Sequence, residues 1–318
     1  MDRLVEFLYA AMMASRSDDW HIALESHKGW KDGVSLSDAE ISVRPLNSAG
    51  LAAPVLRGVR AALLMSGTLR PVSHYASLLG VSSALTADLS SPYRHGTRLV
   101  LVDKDLDTGY SRRSTQLWRT LADRVSLVLE TVPADKSALI AFPSYQLMNE
   151  VLSFGVHTGY RQQVIESKDY RIEDIREQME KSPCAVFLVY SGKFSEGVDL
   201  VKDGHSMVDL IVGVGVPFTP PTSYQKSLQE FYDRRHGTGA GYYYAVVVPS
   251  IRTVAQLVGR LRRSPDDRGI VVLLDSRFLR HLHIFGDDFV SDVWPYSGDE
   301  ELTEAVQMFL AQSQGGKT

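Results

Sequence analysis

Residues 252–263 read R-T-V-A-Q-L-V-G-R-L-R-R. They are followed by a turn, Ser264-Pro265-Asp266-Asp267, and then by an apolar run from Gly269 to Asp275. If the stretch is helical, Gln256 and Arg260 stand one turn apart and Arg263 follows at i+3, so the three share a face. Gly259 sits among them without a side chain, which lets that face come close to another backbone or a ligand. Two guanidinium forks and an amide on one stripe suit a polyphosphate. The same stripe also suits a basic surface paired with Asp266, Asp267 and nearby acids. On these residues alone both readings stand.

Outward from that stretch, the chain keeps a regular rhythm. Apolar runs occur at Ala61–Met65, Leu99–Val102, Ala138–Phe142, Ala185–Val189, Asp209–Val214, Tyr242–Val248 and Ile270–Leu274. They carry little internal alternation, as strands buried on both faces do. Segments of helical period lie between them: Arg113–Val132, Tyr145–Phe154, Ile172–Lys181, Tyr224–His236 and Ile251–Arg263. Strand alternating with helix predicts an α/β fold, a mostly parallel sheet with helices on both faces. Residues 1–60 are less regular. There the pattern gives a helix at Leu4–Ser15, two short alternating runs at Trp20–Glu25 and Ile41–Leu46, and a short helix capped by Ser48 and ending near Gly58.

In such sheets ligands bind beyond the C-terminal ends of the strands. The residues after the runs are Ser66-Gly67-Thr68, Pro143-Ser144-Tyr145, the stretch Ser191 to Asp199, and Gly215-Val216-Pro217-Phe218. Glycines, hydroxyls, a lysine and paired acids therefore collect at one rim. Each alone reads as a turn; their common position is what suggests a site.

Composition narrows the classes. The 318 residues are 44% hydrophobic and 23% charged, ordinary for a globular protein. Cys184 is the sole cysteine, so the chain builds no intrachain disulfide, cysteine-ligated zinc site or iron–sulfur cluster. A net charge of −4 argues against a generally basic nucleic-acid coat but leaves room for a local basic groove. No apolar run is long enough to span a bilayer, and no membrane partner is expected.

With these pieces in view, the chain resembles the C-terminal half of an XPD/DinG-type superfamily-two DNA helicase. The matching pieces are M-S-G-T-L-R-P at 65–71, S-P-Y-R at 91–94, A-F-P-S-Y at 141–145 and S-G-K-F-S-E-G-V-D-L at 191–200. They continue with G-V-P-F-T-P-P at 215–221, Q-L-V-G-R-L-R-R at 256–263 and L-D-S-R-F at 274–278. They fall in the family's order with compatible spacing over roughly residues 40–285.

The resemblance implies a RecA-like P-loop NTPase motor domain that lacks its own Walker A loop. Ser66, Gly67 and Thr68 match motif III, which links the ATP cleft to the DNA track. Phe142 to Tyr145 match motif IV, and Tyr145 and Lys193 are implied DNA contacts. Gly192, Glu196, Gly197 and Asp199 match motif V and are implied at the nucleotide. Gln256, Gly259, Arg260 and Arg263 match motif VI, whose two arginines reach ATP across an interdomain cleft as the catalytic pair; Arg262 is expected to point away and to matter less. The implied division is 1–70 for the end of an arch-like region and the last strands of a first motor domain. Residues 71–285 form the second motor domain, and 286–318 a C-terminal helix and loose tail.

Two parts of such a motor do not occur in these residues: a G-x-x-x-x-G-K-[ST] phosphate loop and a D-E-x-H acidic motif for magnesium. ATP and Mg²⁺ would therefore be shared with an N-terminal half, in cis or in trans, which would also house any iron–sulfur cluster. Single-stranded DNA is the implied substrate partner and repair proteins are candidate partners. The implied setting is cytoplasmic in a prokaryote or nuclear in a eukaryote. The chain alone is expected to be inactive. Two other classes stay open: a non-catalytic single-strand-binding or interaction module of the same fold, and an unrelated α/β enzyme for a nucleotide or sugar phosphate.

Overall fold

The computed structural model describes residues 2–26, 39–81, 83–89, 91–167, 171–190, 192 and 200–312. The chain falls into two compact units, one of residues Met1–Ala87 with Thr219–Pro249, the other of Asp88–Phe218 with Ser250–Thr318.

In the first unit, helix α1 (Asp2–Ala14) precedes an antiparallel hairpin of β1 (Trp20–Ser26) and β2 (Ala39–Pro45), paired from Trp20 opposite Pro45 to Ser26 opposite Ala39. Helices α2 (Ala49–Arg57) and α3 (Val72–Leu78) follow. Ser48 takes the expected N-cap position of α2, but its hydroxyl donates to the Leu78 carbonyl (2.9 Å) rather than capping the helix. Residues 61–65 form no strand; they are exposed, Leu63 and Met65 each at 85%. An apolar run becomes a strand only when another strand pairs with it, and none of the described residues does.

The second unit holds the sheet. Its strands are β3 (Arg98–Asp103), β4 (Ser137–Phe142), β5 (Gln162–Ile165), β6 (Cys184–Val189), β9 (Val208–Gly213), β10 (Gly269–Leu273) and β11 (Val293–Tyr296). The small antiparallel hairpin β7 (Val201–Lys202) and β8 (His205–Ser206) intervenes in sequence. The seven strands run in the order β11-β3-β10-β9-β4-β6-β5, and every neighbouring pair is parallel. Helices α4 (Thr115–Thr131), α5 (Tyr145–Leu152) and α6 (Ile172–Lys181) connect the first of these strands. Ser114 and Ser144 start α4 and α5 by accepting the amides of Leu117 and Leu147, both at 3.2 Å, which satisfies an otherwise unpaired helix donor.

The burial pattern explains the absence of alternation in the sequence. Leu101, Ile140, Phe187, Val212 and Val272 join Leu121, Val125, Met148 and Val306 in one cluster on one face. Their neighbours Val100, Val102, Leu139, Val186, Ile211 and Val271 point the other way and are just as buried. Period-2 geometry with both faces covered leaves no polar position along a strand. The expected α/β architecture is the one found.

Two sequence expectations near the opening stretch fail. Tyr242–Val248 is not a strand. Helix α7 (Ser223–His236) is followed by α8 (Ala240–Tyr242), a π-helical turn at Tyr243–Val247, and α9 (Val248–Val258). Short apolar runs do not distinguish strand from buried helix by pattern. Pro249 has no N–H to give the Ala245 carbonyl four residues back, and the Gln225 side-chain amide donates to that carbonyl instead. Nor does the helix extend to Arg263. It ends at Val258, and residues 259–268 form a loop leading into β10. Beyond Val258 the one-stripe helical geometry is therefore not the one adopted. Four strands, β5, β7, β8 and β11, and the 3₁₀ helix Ser276–Ile284 had no counterpart in the sequence pattern. Helix α10 (Asp287–Val290) and helix α11 (Gly298–Ala311) close the described chain.

Candidate functional site

The C-terminal ends of the central strands meet at one rim of the second unit, where two small constructions stand, and a third lies at the opposite edge of the sheet, just before β3, β9 and β10 begin. The first joins β5, β6 and α5. Glu166, the residue after β5, is buried, and its carboxylate accepts the Val189 amide at 2.8 Å. Gly192 lies directly against it: a Cβ there would come within 2.5 Å of both Glu166 carboxylate oxygens. Tyr145, at the start of α5, packs against the core cluster, and burial together with the nearby Glu166 charge pushes its hydroxyl pKa up. Glu166 thus gathers Tyr145 and Gly192 into one neighbourhood. Its signal in the sequence was an acid directly after a short strand, but that strand is only four residues long.

The second construction joins β3, β9 and β10. Asp275 is fully buried and accepts both the amide (3.0 Å) and the hydroxyl (2.8 Å) of Thr108. Arg277 folds back with its Nε at 2.9 Å and one terminal nitrogen at 2.7 Å from the same carboxylate. The Arg277 guanidinium also lies over the Phe218 ring, 5.5 Å from its centre. Gly213 and Gly215 make room for this packing. A Cβ at 213 would meet the Tyr190 hydroxyl at 2.5 Å, and Gly215, at φ +79°, faces Thr108.

The third is the arginine loop that follows α9. Gln256 is exposed near the end of the helix, and Gly259 is exposed just beyond it. Arg260 is 5% exposed, and its carbonyl accepts the Ser206 hydroxyl at 2.8 Å. Arg263 faces solvent. Arg262, expected to point away, is instead 7% exposed and pinned within its unit. It donates to Thr97 Oγ1 (3.1 Å), lies 4.6 Å from the Tyr93 ring centre, and approaches Asp288 at 3.7 Å. The Tyr93 hydroxyl donates to the Arg262 carbonyl at 3.0 Å. Its role is to anchor the loop.

The remaining sequence-derived positions divide in two. Ser66, Gly67 and Thr68 belong to the first unit, where the Thr68 amide donates to Ser66 Oγ at 3.2 Å in a local turn. Lys193, Glu196, Gly197 and Asp199 lie outside the described residues. Among the described residues no three His, Cys, Asp or Glu side chains are grouped to hold a metal. No helix among them is long and apolar enough to cross a membrane.

Residues 127–288, just over half of the chain, match the helicase C-terminal domain family. The chain belongs to that family. The matched span of this helicase C-terminal domain takes in β4 through β10, the rim loops and the arginine loop. The ATP-dependent DNA helicase XPD of Sulfolobus acidocaldarius is 28% identical over 221 residues, which cover 68% of this chain and 39% of that protein. The ATP-dependent DNA helicase DinG of Photobacterium profundum is 29% identical over 231 residues, covering 69% of this chain and 32% of that protein. A solved XPD helicase structure superposes with a TM-score of 0.65 at 24% identity, over 83% of this chain and 47% of that one. That likeness concerns the fold, which is the RecA-like α/β arrangement. The domain therefore spans less than half the length of each of these relatives.

Proposed function

We propose that the chain is the C-terminal motor portion of an ATP-dependent DNA helicase, acting on ATP that an N-terminal motor half binds. The observation that carries this reading is a combination within one span. Residues 127–288 match the helicase C-terminal domain family and include an arginine loop on a parallel-sheet domain, while no Walker A loop occurs in the 318 residues. A domain with the arginines and without the phosphate loop is half of a shared site.

In this reading Arg260 and Arg263 stabilise charge on the transferred phosphoryl group, an effect of about 10³–10⁵ in rate where arginine fingers have been measured in GTPases. Arg263 is already exposed to meet a nucleotide. Gln256, Gly259, Gly192, Glu196, Gly197 and Asp199 line the nucleotide side. Tyr145 and Lys193, with Ser66, Gly67 and Thr68, face the DNA side or couple the two. Tyr145 is half-buried against the core, so it would offer one edge of its ring rather than a free stacking platform. Closing and opening of the cleft would couple hydrolysis to movement along single-stranded DNA and to unwinding.

The exposed apolar run 61–65 supports the same reading. In the proposed division, residues 1–70 complete the first motor domain and its arch-like region, 71–285 form the second motor domain, and 286–318 the C-terminal helix and tail. Leu63 and Met65 would then be covered by a sheet that the N-terminal half contributes. The test is complementation: the chain mixed with an N-terminal half that carries a Walker loop should show DNA-stimulated ATPase. Single-stranded DNA binding by the chain, with no ATPase restored on mixing, would overturn this reading in favour of a non-catalytic binding module.

A further inference from the structure

The arginine loop leaves α9 after Val258; the Arg260 and Leu261 amides still donate to the Leu257 and Val258 carbonyls, both at 3.0 Å, and Arg262 is anchored as described. Beyond Arg262 the backbone is held by one buried carboxylate. Asp267 Oδ2 accepts the amides of Arg263 (2.8 Å), Ser264 (2.8 Å) and Ser206 (3.0 Å), and its side chain is almost wholly buried. Asp267 Oδ1 faces His205 Nδ1 at 3.1 Å. Burial by itself would raise the Asp267 pKa, but the three backbone hydrogen bonds and the His205 contact outweigh it and hold the carboxyl below its ordinary 3.8. Ser206 closes a second link, its hydroxyl donating to the Arg260 carbonyl at 2.8 Å.

The β7–β8 hairpin therefore grips the loop at both arginines, at the carbonyl of Arg260 and, through Asp267, at the amide of Arg263. In a helix, the spacing of these two residues would be fixed by the ladder of backbone bonds. Here that ladder stops at Leu261, and Asp267 and Ser206, with the Arg262 anchor, take its place. The group is not a catalytic triad, because Ser264 Oγ (3.0 Å) and Asp267 both meet the same ring nitrogen of His205, whereas a proton relay needs one partner on each.

We propose that Asp267 and Ser206 are positioning residues that set the relative placement of Arg260 and Arg263 and tie the arginine loop to the β7–β8 hairpin. The inference rests on the reading of those arginines given above. A buried, charged acceptor taking three amides is stiff, since charge-assisted hydrogen bonds are shorter and stronger than neutral ones. That stiffness matters for a group that must meet a transferred phosphoryl, where a displacement of about 1 Å can cost roughly a hundredfold in rate.

Two variants of the 318-residue chain test it, Asp267→Asn and Ser206→Ala, each with two readouts. The first is amide hydrogen exchange in the chain itself. Asp267→Asn keeps the shape and removes the charge, and the Arg263 and Ser264 amides should exchange about tenfold faster while the sheet amides keep their protection. The second is ATPase in the assembly with the N-terminal half. There Asp267→Asn should lower kcat about tenfold and Ser206→Ala about threefold, with KM for ATP within about twofold of the unsubstituted protein. A purely structural role would lower the folded fraction and leave kcat per folded molecule unchanged. Faster exchange with an unchanged kcat overturns the positioning role, and unchanged exchange in both variants overturns the clamp itself. If the unsubstituted assembly shows no turnover, the proposed function fails, and the clamp is then decided by the exchange result alone.

Discussion

Asp275, fully buried at the end of β10, takes both the amide and the hydroxyl of Thr108, which follows β3. Two neighbouring strands of the sheet are thus locked at the rim where ligands bind in such folds. The same carboxylate holds Arg277, which lies against Phe218.

Removing that carboxylate leaves a buried N–H and a buried hydroxyl without their acceptor and deprives Arg277 of one of its two carboxylate partners, the other being Asp107 at 3.3 Å. Asp275→Ala should destabilise the second unit by about 3 kcal/mol, read from the midpoint of urea unfolding. Gly215→Ala should also destabilise it, by about 1–3 kcal/mol, because a Cβ there meets Thr108 and the backbone sits at φ +79°. Variants as stable as the unsubstituted chain would show that the rim does not depend on this contact.

The Gln225 amide compensates for Pro249 by donating to the Ala245 carbonyl. Gln225→Ala should therefore cost about 1–2 kcal/mol in the natural background. In a Pro249→Ala background the backbone can supply its own donor, and the cost should shrink by at least about 0.5 kcal/mol, the coupling a double-mutant cycle measures. Strict additivity would contradict this account of the π turn.

Asp267 gives a pH dependence of definite sign. Its carboxyl is held below the ordinary 3.8, so folding favours its ionised form. The stability it contributes is fully present above 3.8 and is lost as the pH falls below 3.8 through the lowered folded value. Urea unfolding compared between the unsubstituted chain and Asp267→Asn should show a gap that is constant at about pH 5 and narrows towards about pH 3. A gap that widened on acidification would reverse the assignment.

Much of the second unit was legible in the sequence because strands buried on both faces write themselves as uninterrupted apolar runs. Ala138–Phe142, Ala185–Val189 and Ile270–Leu274 each match a strand to within a residue. The failures have physical causes. Tyr242–Val248 has strand-like composition, but the Gly237 and Gly239 turns before it and the side-chain amide from Gln225 settle it as helix. The arginine stretch keeps helical period through Arg263, yet the helix stops at Val258. Leu261 and Arg262 turn inward there, and Asp267, four residues on from Arg263, takes the amides that a further turn would have used. Glu166 was missed, and the roles of Asp275 and Asp267 were not legible although both residues were noted, because each acid also meets an amide far off in the chain: Val189 for Glu166, Thr108 for Asp275 and Ser206 for Asp267.

The central claim is that this domain supplies arginines to ATP held elsewhere. The most direct measurement is steady-state ATP turnover, with single-stranded DNA present, by the purified 318-residue chain alone, by its mixture with an N-terminal half, and by that mixture carrying Arg260→Ala or Arg263→Ala. The account expects no turnover by the chain alone, turnover on mixing, and a loss in kcat of about 10³-fold or more in each arginine variant. Turnover by the chain alone that is abolished by Arg260→Ala, or full activity of the mixture in both arginine variants, would contradict it.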